Sequence, residues 1–116
     1  MFSRIKYLLF GKKLDQDELF ALRWKIPAKL EIEIKEDGGT YFAKITNYTD
    51  DNVVTQASTG QELVEMVNDA LYSFLDIPAQ YQENIGFFMP SAEVRDELQY
   101  KIPAKYLNTK LSLAKA

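Results

Sequence analysis

A chain of 116 residues is long enough to bury one hydrophobic core and too short for two ordinary domains. It contains no cysteine and no histidine, which excludes disulfide scaffolds, zinc–thiolate sites, thiol nucleophiles and histidine-based acid–base catalysis. The net charge is −3, but the first 30 residues carry seven basic and three acidic side chains, so the remainder of the chain is acidic. An acidic body argues against direct nucleic-acid binding and favours a basic protein partner.

The first 29 residues are predicted to form a basic helical extension. Residues 1–10 have the pattern of a short amphipathic helix, which Gly11 ends. Their longest apolar run, residues 7–10, is far below the roughly 20 residues of a membrane span and the roughly 7 to 15 of a secretory signal. A cytoplasmic location is therefore expected. A second helix is predicted from Asp15, whose charge complements a helix N-terminus, to Pro27, which stops it.

A half-buried strand is predicted from Leu30, where the hydrophobic period changes to two. One face carries Leu30, Ile32 and Ile34, and the other carries Glu31, Glu33 and Lys35. Gly38 and Gly39 can adopt the positive φ angles of a tight hairpin turn, so residues 40–46 are expected to return as a second strand. A short third strand at residues 53–55 gives an antiparallel meander as the simplest topology.

The main helix is predicted to begin at Thr59, which has a capping-box partner in Glu62. Its apolar side chains recur at spacings of three and four residues, so one face is expected to cover the hairpin. These side chains are Leu63, Met66, Val67, Ala70, Leu71, Phe74 and Leu75. The polar side chains expected largely on the opposite, solvent side are Gln61, Glu62, Glu65, Asn68, Asp69 and Ser73. Pro78 ends the helix.

The last third of the chain is predicted to add a fourth strand and a short helix. The strand is expected to place Ile85, Phe87 and Met89 on one face, and Ser91 is expected to cap a helix that runs to Tyr100. The tail from Lys105 is expected to be peripheral. The predicted organisation is a basic helical extension at 1–29, a β-β-β-α-β core at 30–90, and a short helix with a peripheral tail at 91–116. The fold class is thus α+β: an antiparallel three- to four-stranded meander packed against one main amphipathic helix, with short N- and C-terminal helices.

The sequence shows no motif for catalysis, metal binding or cofactor binding. The two turn glycines are not followed by a helix, so no phosphate-binding loop is present. The serines have no histidine base, and the adjacent carboxylates of Asp50 and Asp51 are expected to point apart in a turn. We therefore expect no cofactor, no metal and no enzymatic activity. A two-carboxylate hydrolytic site is the catalytic alternative that 17 acidic residues keep open.

From residue 30 to residue 77 the order of elements resembles the HicB-like antitoxin family. The match is carried by the "EDGGTYF" hairpin of residues 36–42 and by residues 55–75, where a Thr-Gln segment precedes a Thr-initiated helix. The resemblance implies a partial ribonuclease-H-like fold without catalytic acids, and a function in neutralising a small basic toxin that cleaves messenger RNA. The family's Pro and Gly between the second and third strands are absent here. Residues 91–116 are too few and insufficiently basic for the DNA-binding domain that many members carry.

The sequence therefore favours a noncatalytic protein-binding module of the antitoxin type. Its expected partner-binding residues are Glu31 and Glu33, with Tyr41 and Phe42 nearby on the sheet, because outward acidic side chains could occupy the surface that a basic toxin uses for RNA phosphates. The alternative is an orphan HicB-like adaptor or oligomeric scaffold that docks on another protein or on a membrane surface through its N-terminal basic helix. A homo-oligomer is expected, and a membrane surface is the less favoured partner.

Overall fold

The computed structural model describes residues 15–48 and 53–115, which form an α+β fold around a five-stranded antiparallel sheet. The strands are β1 (Lys29–Asp37), β2 (Thr40–Ile45), β3 (Val53–Ala57), β4 (Phe88–Met89) and β5 (Lys110–Lys115), in the spatial order β3-β2-β1-β5-β4. The helices are α1 (Gln16–Lys25), α2 (Gly60–Phe74), α3 (Ala79–Ile85) and α4 (Ala92–Leu98), with a 3-10 helix at Ala104–Tyr106. The predicted α+β class is confirmed, although the sheet has five strands instead of three to four. The helix predicted at residues 1–10 lies outside the described residues.

The β1–β2 hairpin has the predicted turn. Gly38 and Gly39 have φ angles of +60° and +84°, and Asp37 pairs with Thr40 directly beside them. β3 then pairs antiparallel with β2, which completes the predicted meander. The inward-facing apolar side chains of β1 and β2, Ile32 and Ile34 among them, are almost completely buried.

Helix α2 begins as predicted, because the Thr59 hydroxyl accepts a hydrogen bond from the Glu62 N–H at 3.2 Å. Its buried face, however, is rotated from the predicted one: Met66 and Phe74 are 36% and 40% exposed, so their predicted core positions were wrong. The buried side chains are Leu63, Val64, Val67, Asn68, Leu71 and Tyr72. The rotation arises because α2 packs on β3 and β2 and is also covered at its side by β4 and α4.

The segment after α2 differs from the prediction around Gly86. The residues up to Ile85 form α3, and Gly86 then turns the chain with a φ angle of +89°. The two-residue strand β4 follows, with Phe88 buried in the core and Phe87 45% exposed. The prediction that Ile85, Phe87 and Met89 share one strand face was therefore wrong.

The C-terminal residues are central to the sheet, and the prediction of a peripheral tail was wrong. Strand β5 lies between β1 and β4 and pairs antiparallel with both. Its inward side chains Leu111 and Leu113 belong to the core, and Leu113 is opposite Leu30 in the register. Alternation of only two apolar side chains in "KLSLAK" was too short a signal to mark this strand in the sequence.

Helix α1 is capped by Asp15 and is held against the domain by contacts with α3. The Asp15 carboxylate accepts hydrogen bonds from the N–H groups of Asp17 and Glu18, as the acidic first turn predicted. The Tyr81 hydroxyl of α3 donates to the Glu18 carboxylate at 2.8 Å. Leu19 and Leu22 of the same helix are buried in the core. Among the helices in the described ranges, none is long and apolar enough to cross a membrane.

Candidate protein-binding site

Three of the four predicted partner-binding residues lie on the open face of the sheet, which is the face turned away from the helices. Glu31, Glu33 and Phe42 alternate with core residues along β1 and β2 and are partly exposed. Tyr41 lies on the other face and is 4% exposed, and its hydroxyl accepts a hydrogen bond from the Ile102 N–H at 3.1 Å. Tyr41 is therefore a core residue and does not contribute to the open face.

The acidic groups of the open face are accompanied by lysines. Lys29 Nζ lies 3.9 Å from a Glu31 carboxylate oxygen, and Lys35 Nζ lies 3.7 Å from a Glu33 carboxylate oxygen. The register neighbours of Glu33 are also basic: Lys44 on β2 and Lys110 on β5. Four lysines thus surround two glutamates, so the open face is not an acidic surface.

An uncompensated acidic surface lies instead on the outer side of α2. Glu62, Glu65 and Asp69 are exposed at spacings of three and four residues, and the helix contains no Lys or Arg. Within the described residues none of the three forms an ion pair, and we call them the α2 acidic stripe. Glu62 stands in the first turn, where its charge complements the helix dipole. Glu65 and Asp69 lie beyond that turn, so the dipole does not account for them.

A groove of about 270 Å³ runs beside the stripe, between the start of α2 and α4. Glu65 of α2 and Asp96 of α4 contribute to its lining, and the Arg95 guanidinium lies 3.7 Å from the Met89 sulfur. The apolar part of the lining is formed by Val64, Met89, Pro90 and Leu98. The lining thus carries two carboxylates and one guanidinium, so its net charge is negative, and its apolar part fits the aliphatic stem of a lysine or arginine side chain.

Gly60 lines the groove where the start of α2 meets the end of α4. A Cβ atom at this position would lie 1.8 Å from the Leu98 carbonyl oxygen, so only glycine allows α2 to start so close to the end of α4. The Gly60 N–H donates to the Tyr100 carbonyl oxygen at 2.8 Å and fixes this approach. The absence of a side chain at residue 60 therefore positions both walls of the groove.

Asn68 attaches β4, which supplies Met89 to the groove, to the inner side of α2. Its amide nitrogen donates to the carbonyl oxygens of Val64 and Phe88 at 2.8 and 2.9 Å, and its amide oxygen accepts the Phe88 N–H at 2.7 Å. The side chain is 2% exposed, and these bonds pair the Phe88 backbone as a neighbouring strand would. The two-residue strand is thus held by α2 as well as by β5.

The ionisable groups with shifted pKa values lie outside the acidic stripe. A 2.7 Å ion pair with Lys105 lowers the pKa of Glu97 and raises that of Lys105. Burial raises the pKa of Tyr72. The pKa of Tyr81 is also raised, mainly by burial and secondly by the hydrogen bond to Glu18. Among the residues that the structure describes, no group of three or more acidic side chains is arranged to hold a metal ion.

The residues that form this site were not predicted from the sequence. Glu65 and Asp69 were expected only to lie on the solvent side of the helix, and Asp96 had no predicted role. The available signal was the complete absence of Lys and Arg from residues 60–74, in contrast with the lysines that accompany the acids of β1. The groove itself had no sequence signal, because its two walls are brought together by tertiary contacts.

No family model, no curated protein and no solved structure matches this chain.

Proposed function

We propose that this chain is a noncatalytic protein-binding domain whose partner is a small basic protein. The resemblance of residues 30–77 to HicB-like antitoxins makes a small basic RNA-cleaving toxin the particular candidate, which the domain would neutralise by binding. The observation that carries the proposal is the α2 acidic stripe, whose three carboxylates have no basic neighbour on their own helix.

The stripe and the groove support the proposal in different ways. Unpaired carboxylates on one exposed helix face accelerate the encounter with a basic protein and orient it. The adjoining groove offers an apolar site in which one anchoring side chain loses its contact with water. A surface that combines the two supports both fast association and slow dissociation.

The open face of the sheet is the weaker candidate for a basic partner. Glu31 and Glu33 each lie within 4.0 Å of a lysine ammonium, which a cationic side chain of the partner would have to displace. Exchanging one exposed ion pair for another yields little net free energy. We therefore propose that the partner contacts α2. The open face of the sheet, with Glu31, Glu33 and Phe42, provides the residues for a matched control.

The triple substitution Glu62→Gln, Glu65→Gln and Asp69→Asn tests the placement. With a small basic protein as the partner, we expect the dissociation constant to rise at least about tenfold, mainly through a lower association rate, because three attractive charges are lost. The salt dependence of the association rate should weaken at the same time. Stopped-flow binding and calorimetry measure both quantities, and the loss of protection in an RNA-cleavage assay gives the functional readout.

The matched control is Glu31→Gln with Glu33→Gln, which also removes negative charge but on the open face. This variant should bind within about twofold of the unmodified chain, because its lysines already neutralise the two sites. A larger loss in the control than in the α2 variant would move the contact to the sheet. If co-expression with a neighbouring small basic protein yields no complex, the antitoxin proposal fails.

A further inference from the structure

Helix α1 exposes two large aromatic side chains on the side that faces away from the domain. Phe20 is 64% exposed and Trp24 is 78% exposed, whereas Leu19 and Leu22 on the opposite side are buried. The two rings form an edge-to-face pair with 6.0 Å between their centroids. Such a pair on a solvent-facing helix side is the kind of apolar patch that marks an interaction surface.

The same helix face has opposite charges at its two ends. Asp17 lies in the first turn and Lys25 in the last, both are exposed, and within the described residues neither forms an ion pair. Ala21 lies between the aromatic residues and leaves space for close approach of another helix. The face is therefore complementary to a second copy of itself turned end to end.

We propose that α1 is the contact helix of a symmetric homodimer, in which the α1 helices of two copies pack antiparallel around a twofold axis near Ala21. This arrangement sets Asp17 of each copy beside Lys25 of the other and brings the four aromatic rings together. A parallel arrangement would place like charges side by side, which costs free energy. The inference does not depend on the basic-partner proposal, because α1 and α2 are different helices.

The length of α1 and the charges along it indicate how strong this contact is and what covers the helix. Helix α1 has 10 residues, so two copies alone bury less than the roughly 1,200 Å² of a standard stable interface, and the dimer should dissociate on dilution. An anionic membrane surface would also accept aromatic side chains, but it would attract only Arg23 and Lys25 at one end of the helix and would repel Asp17 and Glu18 at the other. A second copy meets the charge pattern at both ends of the helix.

Trp24 is the only tryptophan of the chain, so its fluorescence reports on the proposed contact directly. On the full chain, sedimentation equilibrium should show a monomer–dimer equilibrium, and the tryptophan emission should shift to longer wavelength as dilution dissociates the dimer. Phe20→Ala should weaken self-association at least about tenfold, as expected for an aromatic residue at the centre of an interface. Tyr100→Ala is the matched control, because Tyr100 is 70% exposed but lies elsewhere, and it should leave the equilibrium unchanged.

Charge reversal tests the antiparallel register. Lys25→Glu should weaken the dimer because it faces Asp17 of the other copy, and adding Asp17→Lys should restore much of the loss. Circular dichroism identifies any variant that has lost its fold, and the rescue by the double variant remains interpretable because both single sites are exposed.

Three outcomes would overturn the proposal. A monomer at all accessible concentrations with a concentration-independent emission maximum would show that no second copy covers α1. A shift of the emission on adding phosphatidylserine vesicles to the monomer, without self-association, would assign the face to a membrane surface. Failure of Asp17→Lys to rescue Lys25→Glu would exclude the antiparallel register.

Discussion

Asn68 and Tyr72 are both buried polar residues, but within the part of the chain that the structure describes only Asn68 has hydrogen-bond partners for its side chain. The amide of Asn68 makes three hydrogen bonds, two of them to the backbone of Phe88. Tyr72 is equally buried, but its hydroxyl has no hydrogen-bond partner among the described residues. Because a buried hydroxyl without a partner has lost its water contacts without compensation, Tyr72 should lower the stability of the fold.

Replacing Tyr72 by phenylalanine should therefore stabilise the protein. We expect the free energy of unfolding at neutral pH to rise by about 1 kcal/mol, because the edge-to-face contact with Phe87 is kept while the unsatisfied hydroxyl is removed. The raised pKa of Tyr72 adds a test at alkaline pH. The unfolded phenol ionises near its ordinary pKa of 10.0 and the folded one only at higher pH, so ionisation of Tyr72 favours the unfolded state. The stability of the fold is therefore retained below pH 10.0 and falls as the pH rises from there through the folded pKa. Tyr72→Phe should make that decline shallower in urea titrations.

Tyr41→Phe is the matched control for the hydroxyl. Tyr41 is buried to a similar degree, but its oxygen accepts the Ile102 N–H, so its removal should lower the free energy of unfolding by about 1 to 2 kcal/mol. If both variants change stability in the same direction, the assignment of Tyr72 as unsatisfied is wrong.

Residue roles that depend on near neighbours were readable from the sequence, and those that depend on distant contacts were not. The turn glycines Gly38 and Gly39 and the cap Thr59 act within a few residues of themselves, and each was predicted in its role. Asn68 was predicted on the solvent side of the helix, because its partner Phe88 is 20 residues away and cannot be inferred from helical periodicity. The same limit applies to the candidate site, whose stripe follows one helix but whose groove needs α4.

Packing between α2 and α4 leaves no room for a side chain at residue 60. Gly60→Ala should destabilise the protein by about 3 kcal/mol, because the new methyl group would overlap the Leu98 carbonyl and force the two helices apart. Chemical denaturation measures the loss. Binding of a basic partner should weaken as well, since the groove walls separate.

Gln61→Ala is the control at the next position of the same helix. Gln61 is exposed, so a change within about 0.5 kcal/mol is expected. A Gly60→Ala variant as stable as this control would mean that α2 and α4 do not approach as closely as described.

Among the elements, β1, β2, β3 and α2 were predicted and β5 was not. β1, β2 and α2 combine clear periodicity with local turn or cap signals, and β3 was predicted from a short run of β-branched residues. β5 offers only two inward apolar residues, Leu111 and Leu113. The position of β5 next to β1 depends on pairing between the first and the last of the described strands. Local patterns do not contain that information.

At the scale of the whole molecule, charge is divided between the two layers. Helices α2 and α4 carry six acidic residues and one basic residue, Arg95, whereas the open face of the sheet carries more lysines than glutamates. The overall charge of −3 conceals this division. Basic partners are therefore expected on the helical side.

The integrity of the whole sheet should depend on β5. A chain that ends at Asn108 should fail to fold cooperatively, because β1 would lose its partner on one side and the core would lose Leu111 and Leu113. Removal of a merely peripheral tail would leave the thermal transition intact. Differential scanning calorimetry distinguishes the two outcomes. The control is Ser112→Ala, which changes an exposed residue of β5 but keeps Leu111 and Leu113, and it should leave the thermal transition intact.

The place of β5 also has a kinetic consequence. The β1–β2 and β2–β3 pairings join segments that are close in the sequence, so they can form early. The contact between Leu30 and Leu113 joins residues separated by most of the described chain, so it is expected to form more slowly. Until that contact forms, the β1 edge offers unpaired backbone groups and apolar side chains to any other strand. Closure of the sheet by β5 is therefore expected to be the late step of folding and the stage at which the chain is most prone to aggregation.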